Sequence, residues 1–154
     1  MQLDAVHLIK ATRHALVECR SVREIVAEAW QAQALVEAVG SHLARSGPQS
    51  VRPEAMGLSE SGGRACRSSE HSERPPEDSR AERLSEIQDP KCALIDLSGL
   101  LVETGAALVL VAVAADREGL YWHVIEAIDA VDESEDRVTV ILRRLEPQEQ
   151  GGAA

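Results

Sequence analysis

The sequence has no phenylalanine, one tyrosine and two tryptophans, so aromatic residues fill only 2% of its 154 positions. Binding of single-stranded nucleic acid on a stacking platform needs several aromatic faces, and composition argues against that class. Lysine is nearly absent: the basic residues are 14 Arg and 2 Lys, set against 26 acids. The net charge of −10 opposes duplex binding, because phosphate affinity comes from clustered cations. DNA is excluded as a partner on these grounds, and RNA is disfavoured. The three cysteines (Cys19, Cys66, Cys92) are an odd number without a Cys-x-x-Cys pair, so neither a disulfide framework nor a zinc knuckle is expected. Long hydrophobic runs are missing too. Asp96 and Glu103 interrupt the apolar stretch 94–115, and the clean run left, 105–115, is far shorter than the roughly 20 residues that span a bilayer. Met1-Gln2-Leu3-Asp4 has neither the basic nor the apolar region of a signal peptide. The expectation is a cytoplasmic protein with reduced thiols and no membrane contact.

What is present is the material of a folded domain: 44% hydrophobic and 27% charged residues. Alanine, valine, leucine and isoleucine must make the core. The excess of Arg over Lys, with abundant Ala, Gly and Val, is the codon bias of a GC-rich, bacterial genome. Length and pattern predict one helical-bundle domain over 1–147 and a flexible polar tail over 148–154.

Residues 3–19 read as a first helix, with Ala5, Leu8, Ile9, Leu16 and Cys19 on one arc. Ser21-Val22-Arg23-Glu24 is a capping box that starts a second helix near Val22. Along it Val22, Ile25, Ala29, Ala32, Val36, Val39 and Leu43 alternate three- and four-residue steps, a heptad seam ended by Gly47-Pro48. A marginal helix follows at about 53–66, weakened by Gly57, Gly62 and Gly63. Residues 67–83 lack large aliphatics and contain Pro75-Pro76, so a disordered loop is expected, with Ser79-Arg80-Ala81-Glu82 able to cap one short turn that carries Leu84 and Ile87. Asp89-Pro90 then caps a helix that is apolar nearly all round to about 115, the pattern of an element buried on several sides. The last helix spans 118–145, with Leu120, Val124, Ala127, Val131, Val138, Leu142 and Leu145 in phase. The predicted fold is all-α: an antiparallel bundle of four main helices, one or two short ones, and no strand. Among the thiols, Cys19 and Cys92 fall on apolar faces and Cys66 at the end of the marginal helix, so Cys66 is expected to react first.

Motifs that carry chemistry are few. Asp4, His7, His14 and Glu18 form a polar stripe on the first helix, but no second helix supplies a matching Glu-x-x-His, and a solvated face explains them. The acids Glu126, Asp129, Asp132, Glu133, Glu135 and Asp136 crowd the last helix. A calcium loop begun at Asp129 would need Gly where Ser134 stands and Glu where Val140 stands, so no metal site is assigned. Gly57-Leu58-Ser59-Glu60-Ser61 misses the nucleophile elbow, since Ser61 replaces its second Gly. No cofactor is indicated. Arg117 precedes His123 at the spacing of the Arg-x(4–6)-His motif, and this resembles HEPN ribonucleases, helical bundles in which such a pair acts on the RNA backbone. Arg64 and His71 share the spacing, and random placement yields about 1.4 such pairs, so the motif identifies nothing by itself. Trp122 lies opposite the apolar stripe of the last helix, beside Glu126, Asp129 and Glu133, and Trp30 lies off the heptad seam. Indoles placed away from a core are the residue type most enriched at binding hot spots.

Glu28-Ala29-Trp30-Gln31-Ala32-Gln33-Ala34-Leu35 and Gly119-Leu120-Tyr121-Trp122, together with Ile125 to Val138, resemble an uncharacterised family of small Ala-rich helical proteins from high-GC Gram-positive bacteria. The resemblance implies a compact helical protein and supplies no activity. Residues and resemblance together lead to a non-enzymatic interaction or regulatory module, expected to be homodimeric. Its partner would be a protein or a second copy, with Trp122, Trp30, Glu126, Asp129 and Glu133 as the binding residues. Two alternatives stand beside it. One is a HEPN-like ribonuclease using Arg117 and His123. The other is a bundle that binds a small ligand, with Asp96 and Glu103 lining the pocket.

Overall fold

The computed structural model describes residues 3–69 and 78–153. Five helices carry the fold: α1 (Ala5–Val17), α2 (Val22–Ser46), α3 (Arg52–Ser69), α4 (Pro90–Ala114) and α5 (Glu118–Ala153). Short connections make two helical hairpins, α2 with α3 and α4 with α5. Helix α3 also packs on α5, while α1 lies against α4 and α2. The all-α expectation holds.

Local signals act as read. Asp4 caps α1 by accepting from Val6 N at 3.2 Å. Ser21 accepts from Glu24 N at 3.2 Å, and Glu24 reaches back to Arg20 N. Asp89 accepts from Cys92 N at 3.1 Å, with Pro90 in the first turn. In the seam of α2, Ala29, Ala32, Val36, Val39 and Leu43 are buried, whereas Val22 stands exposed at its start. They meet Leu58 of α3, Leu94, Leu97, Leu100 and Leu101 of α4, and Val131, Val138 and Ile141 of α5 in one core. At roughly 1.5–3 kcal/mol for each aliphatic side chain fully withdrawn from water, this core is the main stabilising term.

Helix α3 is a full 18-residue element rather than the marginal one expected. Its glycines explain the difference. A Cβ on Gly62 would stand 2.6 Å from Glu37 N and 2.7 Å from Gln33 O, and one on Gly40 would stand 2.5 Å from Ser59 N. The backbones of α2 and α3 touch at these two points. The propensity lost to glycine is offset by this close approach.

Four further expectations are corrected. The loop expected over 67–83 is shorter, since residues 67–69 belong to α3, while Arg80–Arg83 form a 3-10 turn after Ser79, where the sequence predicts a short turn. Residues 70–77 of that loop lie outside the described residues. Polar anchors replace the missing apolar burial. Arg80 pairs in bidentate fashion with Glu28 at 2.6 and 3.1 Å, Arg80 N donates to Gln31 Oε1, and Gln31 Nε2 donates to Asp78 O. Secondly, strands exist: β1 (Leu3–Asp4) pairs in parallel with β2 (Leu84–Glu86). Asp4, which already caps α1, also accepts from Gln88 N at 3.0 Å and ties the two segments together.

Thirdly, Cys66 is buried against α2 and Cys92 is exposed at the start of α4, the reverse of the expected accessibility. The Cys92 thiol hydrogen-bonds to the Asp89 carboxylate, which pushes its pKa up. Cys19 is half-buried and also raised, first by burial and then by Glu28 and Glu24. Fourthly, α4 is not covered on several sides, as the next subsection sets out. Helix α5 runs on to Ala153, through the segment read as a tail.

Candidate functional site

Along α4, Ile95, Val102, Val109 and Val113 recur at heptad-like spacing with Ala106 between them, and Leu110 adjoins. The five large side chains are 47–80% exposed. The opposite face, including Leu94, Leu97, Leu101 and Leu108, is fully buried. The helix is apolar all round because two of its faces are apolar and the bundle covers only one. Periodicity could not separate them, since a face left open and a face covered read alike.

Asp96 and Glu103 flank this stripe, seven residues apart on one edge of α4. Arg13 of α1 lies across Gly99 between them, donating from Nε to Glu103 Oε2 at 3.1 Å and standing 3.5 Å from Asp96 Oδ1. The Glu103 hydrogen bond, aided by both carboxylate charges, pushes the Arg13 pKa further up, so the guanidinium stays charged. Both acids are answered within the chain, and the Arg13 guanidinium crosses the stripe at Gly99, between Ile95 and Val102, so its uncharged part runs from Val102 to Val113. By length and composition α4 is the one helix among the described residues that could cross a membrane.

Trp122, predicted to lie off the core, is 56% exposed and stacks edge-to-face with Tyr121, ring centroids 5.3 Å apart. Trp30 is half-buried on α2, and its indole nitrogen is buried without an acceptor among the described residues. It borders a concavity with Cys66 and Ser79, so the two indoles serve different parts of the surface.

The predicted acids Glu126, Asp129 and Glu133 do come together. They line one side of a cleft of about 440 Å³ between α2, α3 and α5. Glu133 accepts from Ser61 Oγ at 2.8 Å and from Arg64 at 3.2 Å. Glu126 and Asp129 are exposed and make no ion pair or hydrogen bond among the described residues. Beneath them lies a polar floor that sequence reasoning missed. Ser61 and Ser134 are in contact at 3.1 Å, and Ser134 Oγ donates to Gln33 Oε1 at 2.9 Å. Gln33 is only 5% exposed, and its Nε2 is buried without a partner among the described residues. Ser134 was detectable: it sits three residues after Val131 and four before Val138, a hydroxyl in the phase of a core stripe. Arg117 and His123 border a second concavity of about 510 Å³ with Val22 and Leu120, and His123 edges the first cleft as well. His71, from the other pair at that spacing, lies outside the described residues. No group of three or more His, Cys, Asp or Glu arranged to hold a metal occurs among the described residues.

No curated protein and no solved structure matches the chain. Residues 3–144, nearly its whole length, match a family of unknown function, DUF6099, and the chain belongs to that family.

Proposed function

We propose that this protein is a non-enzymatic interaction module of the bacterial cytoplasm that self-associates through the exposed face of α4. The observation that carries the reading is the exposed apolar stripe of Ile95, Val102, Val109, Leu110 and Val113. An apolar patch of about 300–600 Å² is the largest that a typical monomeric protein exposes, and such a patch is often a binding surface. The five side chains expose roughly 500 Å² per copy, so pairing two copies removes on the order of 1,000 Å², the lower bound for a specific interface. Charge favours a second copy on this face over others. Two chains of −10 repel, and the apolar face is where they can meet. Lipid is the poorer occupant, because anionic headgroups repel an acidic protein and Lys91 is the only basic residue of α4. Leu110 and Val113 end α4, and Tyr121 and Trp122 begin α5, so the exposed aromatic pair stands at the same end of the hairpin as the last residues of the stripe.

The test is a pair of charge insertions, Val102→Glu and Val109→Glu, on side chains that the fold does not bury. Each should leave the melting temperature nearly unchanged and convert the dimer to monomer in sedimentation velocity. Variants as associated as the wild type, or a wild type that floats with neutral phospholipid vesicles instead of dimerising, would overturn the reading. The ribonuclease alternative has one observation on its side, the shared concavity of Arg117 and His123. The acids of α5 beside it oppose an RNA backbone. Cleavage of a mixed RNA panel that is lost in His123→Ala would establish it.

A further inference from the structure

We propose that two copies of the chain pair α4 against α4 in antiparallel fashion, with the two-fold axis between Ala107 and Leu108 and Arg13 of each copy facing Asp116 of the other. This rests on the self-association proposed for the α4 face and adds its direction and register. The face is a regular seam. Ile95, Gly99, Val102, Ala106, Val109 and Val113 follow one another in alternating four- and three-residue steps, the 3.5-residue period of helices packed side by side. Every member except Gly99 is exposed. Over Gly99 lies the Arg13 guanidinium, whose Nη1 would stand 2.9 Å from a Cβ at that position. The seam is therefore apolar through Val102, Ala106, Val109 and Val113, with one cation set into it before Val102. At the other end α4 stops at Ala114, and Asp116 stands exposed in the turn without an ion pair or hydrogen bond among the described residues.

The position of that cation decides the direction. In a parallel pair each seam residue meets its own copy, so Arg13 would meet Arg13 and Asp116 would meet Asp116. Both contacts join like charges, and the first lies inside the seam, where loss of water strengthens the repulsion. Asp96 and Glu103 stand at the edge of the seam, so the guanidinium is the charge that a second copy meets first. An antiparallel pair avoids both contacts. Its layers interlock when a residue that ends a four-residue step meets one that ends a three-residue step. Three registers near the middle of α4 satisfy this condition. Joining Val102 to Ala106 would press Arg13 onto Val109 of the second copy. Joining Val109 to Val113 would close only those two layers. Joining Val102 to Val113, and Ala106 to Val109, closes all four apolar members and sets Gly99 level with Asp116 of the second copy. The apolar layers supply the attraction, and the contact of Arg13 with Asp116 selects the direction.

The test is disulfide cross-linking of the full chain in a Cys92→Ser background, which removes the exposed native thiol. Val102→Cys and Val113→Cys, carried on chains of distinguishable mass, are mixed and mildly oxidised, and sedimentation velocity of the same samples reports the dimer independently. A disulfide needs Cα atoms within about 7 Å, whereas antiparallel pairing holds like positions about 16 Å apart along the axis. Cross-links of 102 to 113 should therefore exceed those of 102 to 102 and of 113 to 113 by at least about tenfold. Asp116→Arg makes the chain less acidic, which by net charge alone would favour association. Facing Arg13, it should instead weaken the dimer by at least about threefold at low salt. A dimer in which like positions cross-link as well as unlike ones, or in which Asp116→Arg binds as tightly as the wild type, overturns the antiparallel register and leaves self-association standing. A chain that is monomeric throughout, or a dimer that Val102→Glu does not weaken and neither cysteine links, overturns both.

Discussion

Replacing Gly62 by alanine isolates the contact on which the α2–α3 hairpin depends. In a free helix the change would help, since glycine costs about 1 kcal/mol against alanine in a helix interior. Here the new Cβ would sit 2.6 Å from Glu37 N and 2.7 Å from Gln33 O, whereas ordinary contact begins at 3.4 Å. The two nearest atoms are backbone and cannot turn away as the Val36 methyl at 2.9 Å could, so the helices must separate by about 0.8 Å at this point to restore ordinary contact. A gap of that size forfeits roughly a quarter to a half of each dispersion contact along the seam. Overpacking of a rigid site costs about 2–3 kcal/mol, which leaves a net loss of about 1–2 kcal/mol after the propensity gain. Gly105→Ala is the control. Its Cβ would meet only Val131 Cγ1, at an ordinary 3.6 Å, so it should stabilise by roughly 0.5–1 kcal/mol. Urea unfolding followed by circular dichroism reads both, with an unchanged m-value showing that the denatured state is not the cause. If Gly62→Ala stabilises as Gly105→Ala does, the two backbones are not in contact and the account of α3 fails.

Three other outcomes follow from the contacts described. Cys92 should react first with a thiol reagent and Cys66 last; since the Asp89 bond raises the Cys92 pKa, its rate rises with pH later than that of a free thiol, and Asp89→Asn moves the profile to lower pH. A profile unmoved by that substitution would show that the hydrogen bond does not act on the thiol. Arg80→Ala should cost roughly 1–2 kcal/mol, because Glu28 is largely buried beneath it, and should open Arg83 to trypsin; an unchanged digestion pattern would mean that the turn is held by something else. Trp122→Ala should leave stability within about 0.5 kcal/mol, as its side chain is exposed, and weaken self-association by about 2 kcal/mol. A loss of stability instead would make the indole structural.

The helices were legible because their signals are local. Ser21 with Glu24, Asp89 with Pro90, and the seam from Ala29 to Leu43 each specify an element within a few residues. What escaped was set by partners distant in sequence. Gly40 and Gly62 look like weak points until the two helices are laid together. Arg80 looks like a loop residue until Glu28 is found 52 positions earlier, and Leu84 becomes a strand residue only because Leu3 lies beside it. The same limit governs the candidate sites. The stripe of Glu126, Asp129 and Glu133 could be read from the helical period, whereas the Gln33 beneath it could not. Which face of α4 stays open depends on where α1, α2 and α5 stop covering it, and no window along α4 contains that information.

The central claim, self-association through an exposed apolar helix face, is tested most directly by sedimentation equilibrium of the wild-type chain over about 1–300 μM at two salt concentrations. The account predicts a mass that rises from the 16.6 kDa of one chain toward twice that value, with a dissociation constant in the micromolar range. It also predicts tighter association at high salt, where the repulsion between two acidic copies is screened and apolar burial remains. A mass of one chain at every concentration, or a dimer that salt dissociates, would contradict it.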